Sequence, residues 1–282
     1  MKKHLPKPEW LKIKLGDTPT FGKTASLLHN QCIHTICVSG RCPNQGDCWS
    51  RGTATFMIGG DICTRHCRFC NTKTGKPLPL DETEPQRIAE AVKVMALKHV
   101  VITSVDRDDL PDGGLAHWIR VIEAVKLQNP LVTMETLIPD FGGNIALIDA
   151  LCQTDVNIVS HNLETVRRLT PTVRSVASYE QSLRVLERIA KNGKKAKSGL
   201  MVGLGESHQE VVEAMHDLRN SDCRILTIGQ YLQPSHNQLP VEAYISPDEF
   251  ALFKSEGLKL GFEWVESGPL VRSSFHAEKQ IL

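Results

Sequence analysis

The chain has 282 residues, of which 41% are apolar and 23% charged, so it can bury a large core and is neither a disordered nor a fibrous protein. Its net charge of +1 argues against the clustered basic surface that most nucleic-acid-binding proteins carry. No apolar segment approaches the roughly 20 residues needed to cross a bilayer, and residues 1–10 lack the apolar core of a secretory signal. We therefore expect a cytoplasmic protein with no membrane and no nucleic-acid partner.

The cysteines are concentrated near the start of the chain. Seven of the nine lie between residues 32 and 70, whereas Cys152 and Cys223 stand alone. Because a reducing compartment disfavours structural disulfides, this concentration indicates metal ligands. We interpret Cys32, Cys152 and Cys223 as small buried hydrophobic residues, although Cys32 could also serve as a ligand.

Two groups of three cysteines follow each other along the chain. The first is Cys37, Cys42 and Cys48, with C-x4-C-x5-C spacing. The second is Cys63, Cys67 and Cys70, which have C-x3-C-x2-C spacing and directly follow a predicted strand.

The spacing of the second group favours one kind of metal centre. Three sulfurs in one loop can hold three irons of a 4Fe-4S cluster and leave the fourth iron without a protein ligand. A zinc site with His66 as the fourth ligand is the alternative, but zinc sites favour paired C-x-x-C units. A second 4Fe-4S cluster at the first group is then the economical interpretation.

Downstream of the cysteines, short apolar segments alternate with amphipathic segments of helical length, which is typical of a parallel sheet. The six predicted strands cover residues 53–58, 100–105, 132–138, 156–161, 199–202 and 225–231. The predicted helices cover residues 84–97, 115–127, 145–152, 179–190, 209–220 and 247–260, and Ser246 is expected to cap the last of them.

Six right-handed βα units predict an α/β fold, a partial TIM-like (β/α)6 barrel. We expect the barrel to span residues 51–260, between an N-terminal cysteine-rich extension of residues 1–50 and a C-terminal extension of residues 261–282. A doubly wound open sheet is the alternative architecture.

The second cysteine group, with Phe69 before its last cysteine, resembles that of the radical S-adenosylmethionine superfamily. The resemblance implies that the open iron binds S-adenosylmethionine and that the reduced cluster cleaves it to a 5'-deoxyadenosyl radical. Such a radical attacks unactivated C–H bonds, so we expect no catalytic residue that acts by acid-base chemistry. Predicted contacts to the cofactor lie at the ends of the strands or shortly after them, at Thr103, Ser104, Asn162, Gly203, Gly205 and Glu206. A plain tight turn is the alternative for the last three.

The resemblance narrows further when more segments are considered. The first cysteine group and residues 52–58, 103–110, 135–141, 161–165, 197–206, 229–234 and 268–277 are similar to the lipoyl synthase family. This implies radical insertion of two sulfur atoms at C6 and C8 of a protein-bound octanoyl-lysine, with an auxiliary 4Fe-4S cluster as the sulfur donor. By the same resemblance, Ser274 completes the auxiliary cluster beside Cys37, Cys42 and Cys48, and Ser273 is the alternative.

The same resemblance implies the partners. They are an octanoylated lipoyl carrier protein or domain, an external electron donor and a protein that rebuilds the auxiliary cluster. The run Lys191, Lys194, Lys195 and Lys197 is interpreted as a solvated helix end, with a docking site for an acidic carrier as the alternative.

Several positions depart from the family pattern. Phe275 stands where tyrosine is usual and Ser160 where asparagine is usual, and the stretches 170–171 and 173–175 also differ. These departures affect expected loop shape and substrate contacts.

Three rival functions fit less well. A tRNA methylthiotransferase would bring an RNA-binding domain and a basic surface. Biotin synthase would lack the motif of Arg272, Ser273 and Ser274. A two-cluster electron carrier needs four protein ligands per cluster and only a small fold.

Overall fold

The computed structural model describes residues 5–13, 18–174 and 176–281, and its centre is a sheet of seven parallel strands. In chain order the strands are β1 (Thr55–Ile58), β2 (His99–Ser104), β3 (Thr133–Leu137), β4 (Ile158–Ser160), β5 (Lys195–Val202), β6 (Ile225–Gln230) and β7 (Trp264–Gly268). Ser175 lies outside the described residues.

Strand order in the sheet follows chain order from β1 to β7 without a reversal. A doubly wound sheet would reverse its order at a switch point, so that alternative is wrong. Each strand pairs in parallel with the next, and β1 and β7 form the two edges. The expected partial barrel is confirmed.

The helices supply the crossovers and the N-terminal region. They are α1 (Pro19–Asn30), α2 (Ile36–Ser39), α3 (Gln45–Ser50), α4 (Glu84–Val94), α5 (Leu115–Gln128), α6 (Ile145–Cys152), α7 (Thr170–Val173), α8 (Tyr179–Lys191), α9 (His208–Asn220) and α10 (Pro247–Lys259). Short 3-10 helices cover Phe141–Gly143 and Ala277–Lys279, and a two-residue ladder joins Ile62–Cys63 to Lys73–Thr74. No helix among the described residues is long and apolar enough to cross a membrane.

Caps and apolar faces explain why the crossover helices form where they do. Ser178 begins α8 by accepting a hydrogen bond from the Gln181 amide, and Ser246 caps α10 as predicted. The α8 face that carries Val185 and Ile189 is buried, and burying each such side chain contributes about 1.5–3 kcal/mol.

All six predicted strands and all six predicted helices are present, and all but α6 have shifted ends. The largest shift is in β5, which begins at Lys195 rather than at residue 199. Lys197 is not on a solvated helix end as expected; it lies on β5 with its side chain fully buried. Its Nζ contacts Glu135 Oε2 on β3 at 2.8 Å, and Ser160 donates a hydrogen bond of 2.8 Å to the other oxygen of that carboxylate.

The seventh strand was not predicted. β7 falls inside the expected C-terminal extension and pairs with β6 from Ile225 to Gly229. Its five residues include Glu266, Ser267 and Gly268, so they lack the apolar run by which the other strands were found.

The N-terminal region is attached to the barrel through β1. α1 packs on α3, where the Phe21 and Trp49 ring centroids are 5.5 Å apart and Thr24 donates a hydrogen bond to the Trp49 carbonyl. The Met57 amide of β1 donates to the His34 carbonyl at 2.9 Å, just before α2. The first cysteine group is therefore held against the first strand of the sheet.

Candidate iron-sulfur and cofactor site

A cavity of about 320 Å³ opens at the carboxyl ends of the strands. The second cysteine group lines it, together with three of the predicted cofactor contacts: Thr103, Ser104 and Asn162. Because the carboxyl ends of parallel strands converge at one face of a barrel, residues far apart in the chain meet here. We call this space the large cavity.

The loop of the second cysteine group presents its sulfurs to backbone donors. The amides of Arg65 and Asp106 each donate to Cys63 Sγ at 3.4 Å. Burial, and next the charge of Asp106, raise the pKa of Cys63 to about 12. Burial also raises the pKa of Cys70, and the neighbouring Cys67 adds to the shift.

These thiols fit an iron-sulfur cluster by their donor chemistry. The pKa values of Cys63 and Cys70 are raised chiefly by burial and partly by the charge of a neighbouring thiolate, and iron cations would remove that repulsion. Soft sulfur ligands with amide N–H groups directed at them are typical of iron-sulfur sites. Within the described ranges, no three His, Cys, Asp or Glu side chains are grouped closely enough for a single metal ion.

Arg65 holds this loop in place. Its guanidinium contacts Asp106 at 3.3 Å, Asp108 at 2.7 Å and Asp140 at 2.7 Å, and its side chain is 5% exposed. Although burial opposes the shift, Arg65 lowers the pKa of Asp140 to about 2. Sequence reasoning missed Arg65, because two of its partners follow β2 and the third follows β3.

The predicted contacts at the strand ends lie beside charged residues that were not predicted. Asn162 Nδ2 donates to Glu164 at 3.1 Å, while Asn162 Oδ1 is buried with no hydrogen-bond partner among the described residues. Glu164 and Arg174 line the large cavity too. Burial raises the pKa of Glu164, and the charge of Arg174 partly offsets it. The positive φ of Glu164, +71°, shows that its backbone is held in an unusual conformation.

The turn after β5 is built differently from the other predicted contacts. Gly203, Gly205 and Glu206 are not among the residues that line the large cavity. The Glu206 carboxylate accepts hydrogen bonds from the amides of Gly203 and Leu204, and Gly203 has φ +101°. A Cβ at Gly203 would lie 2.1 Å from Gln230 Nε2, so glycine is required for packing. Contact of Gly203, Gly205 and Glu206 with a nucleotide stays a prediction. The geometry favours the alternative, a tight turn.

The first cysteine group lines a second cavity of about 290 Å³. Cys37, Cys42, Cys48 and Ser274 all face it, whereas Ser273 lines the large cavity. Burial raises the pKa of Cys37 to about 11, against the opposing hydrogen bond from the Thr55 amide. The charges of the other two cysteines also raise it, so these thiols too fit a cationic cluster.

The remaining cysteines differ in burial. Cys152 and Cys223 are buried, as expected for small hydrophobic residues, whereas Cys32 is exposed, contrary to that interpretation. Arg272 lines both cavities, so the two spaces adjoin at that side chain.

Comparison with known proteins agrees with this geometry. The profile of the Radical SAM superfamily matches residues 57–218. A lipoyl synthase from Parabacteroides distasonis is 58% identical over 281 residues, covering 100% of both chains. The chain belongs to the lipoyl synthase family. A lipoyl synthase from Treponema denticola is 54% identical and aligns with 98% of this chain and 95% of its own length.

Solved structures resemble the fold at low sequence identity. The crystal structure of methylornithine synthase (PylB) has a TM-score of 0.56 at 12% identity and covers 89% of this chain and 83% of its own. The structure of HydG, a maturase of the [FeFe]-hydrogenase, has a TM-score of 0.56 at 14% identity, covering 80% of this chain and 61% of its own. These likenesses concern the fold alone. Family membership carries a 4Fe-4S cluster and S-adenosylmethionine as cofactors.

Proposed function

We propose that this chain inserts two sulfur atoms, at C6 and C8, into an octanoyl-lysine of a lipoyl carrier protein. The observation that supports it is the pair of adjoining cavities, each lined by three cysteines and both bordered by Arg272. One cavity would bind the radical-generating cofactor, and the other would hold the cluster that is consumed as the sulfur donor.

In this proposal Cys63, Cys67 and Cys70 hold the radical 4Fe-4S cluster. When bound, that cluster would supply the one electron that cleaves S-adenosylmethionine. The chain supplies the surroundings: Thr103, Ser104 and Asn162 offer hydroxyl and amide groups to the cofactor from the cavity wall. Asn162 Oδ1 is a buried acceptor with no hydrogen-bond partner among the described residues, and a donor such as the cofactor's amino group would satisfy it.

The auxiliary cluster is proposed to bind Cys37, Cys42, Cys48 and Ser274. Ser274 is favoured over Ser273 because it faces the same cavity as the three cysteines. An oxygen ligand suits iron less well than a thiolate does, so the iron at Ser274 is the one most easily released. Release of iron is what a cluster that gives up its sulfide requires.

The substrate chain must reach between the two cavities. Ile36, Met57, Leu232 and Val271 give the large cavity an apolar wall suited to an octanoyl group. The external electron donor and the protein that rebuilds the auxiliary cluster remain predictions of the family resemblance.

A three-way comparison of variants tests the proposal under anaerobic conditions. The enzyme reconstituted with iron and sulfide should hold about eight irons per chain, and Cys37→Ala and Cys67→Ala should each hold about four. Cys37→Ala should still form 5'-deoxyadenosine from S-adenosylmethionine but yield no lipoyl product from an octanoylated carrier domain. Cys67→Ala should form neither, and the buried Cys152→Ala serves as the control that keeps both clusters.

Three outcomes contradict the proposal. If Cys37→Ala loses four irons and still makes the lipoyl product, the auxiliary cluster is not the sulfur donor. An electron carrier would form no 5'-deoxyadenosine, and an RNA-modifying enzyme would not respond to the octanoylated carrier.

A further inference from the structure

Thr55 contacts two of the four proposed ligands of the auxiliary cluster at once. Its side-chain hydroxyl donates a hydrogen bond of 2.8 Å to Ser274 Oγ, and its backbone amide donates to the Cys37 thiol. The residue is buried at the start of β1 and lines the second cavity. Its backbone is fixed by the pairing of β1 with β2, where Thr55 stands opposite Val101.

Contacts that do not involve Thr55 hold Ser274 in this position. The Val271 carbonyl lies so close to Gly229 that a Cβ there would be 2.0 Å from its oxygen. Asn44 Nδ2 donates to the Leu270 carbonyl at 2.6 Å. Backbone contacts therefore fix the position of the segment that carries Ser274. The Thr55 hydroxyl is not needed for this, and among the described residues its hydrogen bond is with the serine oxygen alone.

A hydrogen bond donated to a ligand oxygen weakens the bond between that oxygen and its metal. It draws electron density from the oxygen lone pairs, so the oxygen binds iron less strongly. It also gives that oxygen a partner when no iron is bound, which removes the cost of leaving a buried hydroxyl unpaired. Both effects favour release of the iron at this position.

We propose that Thr55 is a positioning residue that keeps Ser274 an easily displaced ligand of the auxiliary cluster. The inference rests on the proposed function, because it requires a cluster at Cys37, Cys42, Cys48 and Ser274. Thr55 acts through Ser274 and touches no reacting atom of the substrate.

The test measures iron release rather than activity. Reconstituted Cys67→Ala protein is expected to carry only the auxiliary cluster, so every iron released in this background comes from that site. Adding Thr55→Val removes the hydroxyl and keeps the size of the side chain, whereas Thr55→Ser keeps the hydroxyl. Release to an excess of a ferrous chelator is followed by the absorbance of the iron complex under argon.

Thr55→Val should slow the release of iron by about fivefold, which corresponds to ~1 kcal/mol for one hydrogen bond. Thr55→Ser should release iron at the parent rate. Thr24→Val is the matched control, because Thr24 is also buried and donates a hydrogen bond, at 3.2 Å to the Trp49 carbonyl, outside the second cavity. It too should release iron at the parent rate.

Other outcomes separate the inference from the function on which it rests. If Thr55→Val and Thr55→Ala release iron at the parent rate or faster, the role of Thr55 is refuted. If adding Cys37→Ala leaves the iron content of the Cys67→Ala protein unchanged, the cluster assignment itself is wrong. A Thr55→Val protein that does not fold would also refute the inference, since the seat of Ser274 is argued to be independent of the hydroxyl.

Discussion

The buried ion pair between Lys197 and Glu135 gives the sharpest prediction about stability. The two side chains are 0% and 1% exposed and their charged atoms are 2.8 Å apart. Lys197→Met leaves the Glu135 carboxylate without its cation inside the barrel, and the Ser160 hydroxyl is then its one hydrogen-bond partner among the described residues. Removing one member of such a pair costs about 3–5 kcal/mol.

The assay is thermal unfolding followed by circular dichroism, under argon and at matched iron content. For a chain of this size ~1 kcal/mol lowers the melting temperature by about 2 °C, so Lys197→Met should lower it by about 6–10 °C. Glu135→Gln should destabilise by a similar amount, because it leaves the Lys197 ammonium buried without a counter-charge. The double variant should be more stable than the sum of the two losses predicts, with a coupling of about 2–3 kcal/mol.

Lys191→Met is the matched control for this prediction. Lys191 pairs with Glu187 on the surface of α8, where its side chain is 59% exposed, and such pairs contribute only about 0.3–0.5 kcal/mol. If Lys197→Met shifts the melting temperature no more than Lys191→Met does, the argument from burial is refuted. Strict additivity in the double variant would refute the direct pairing.

Three further predictions follow from the site. Burial lowers the pKa of His161 to about 4, so the unfolded chain, with its ordinary value of 6.5, takes up the proton first as the pH falls. Stability should therefore fall by about 1 kcal/mol between pH 7 and 5.5 in melting experiments, and His161→Asn should abolish that loss. Gly229→Ala should displace the Val271 carbonyl and reduce auxiliary iron in metal analysis, while iron at the radical site is kept. Thr103→Val should raise the dissociation constant for S-adenosylmethionine in equilibrium dialysis. Glu206→Gln should leave that constant unchanged and lower the melting temperature. If both variants weaken binding of S-adenosylmethionine equally, the turn after β5 contacts the cofactor.

The features that could be predicted from the sequence are those whose signal is local. Each group of three cysteines lies within twelve residues or fewer, and Thr103 and Asn162 lie at or shortly after the end of short apolar segments that predict strands. The crossover helices can be predicted from capping residues such as Ser246 and from a single apolar face. For this reason the secondary structure and the two cysteine groups could be predicted from the sequence.

What could not be predicted depends on partners that are distant in the chain. Arg65 is 43 residues from Asp108 and 75 from Asp140, and Lys197 is 62 residues from Glu135. A lysine beside other lysines is typical of a solvated surface, and Lys197 becomes a core residue only because β4 pairs with β3 on one side and with β5 on the other. No local pattern records which carboxylate such a cation will meet.

The C-terminal segment shows most clearly how the fold makes the site. After β7 joins the sheet, the chain returns to the N-terminal region, where Leu270 meets Asn44, 226 residues away, and Ser274 meets Thr55, 219 residues away. The three cysteines at residues 37–48 line the second cavity with sulfur atoms, and this return brings the Ser274 oxygen to the same cavity. Arg272 on the same segment also borders the large cavity. One stretch of backbone therefore supplies Ser274 to the second cavity and a side chain that lies between the two cavities. The predicted boundary at residue 260 therefore does not separate two structural units, because the residues after it line the same cavities as the residues before it.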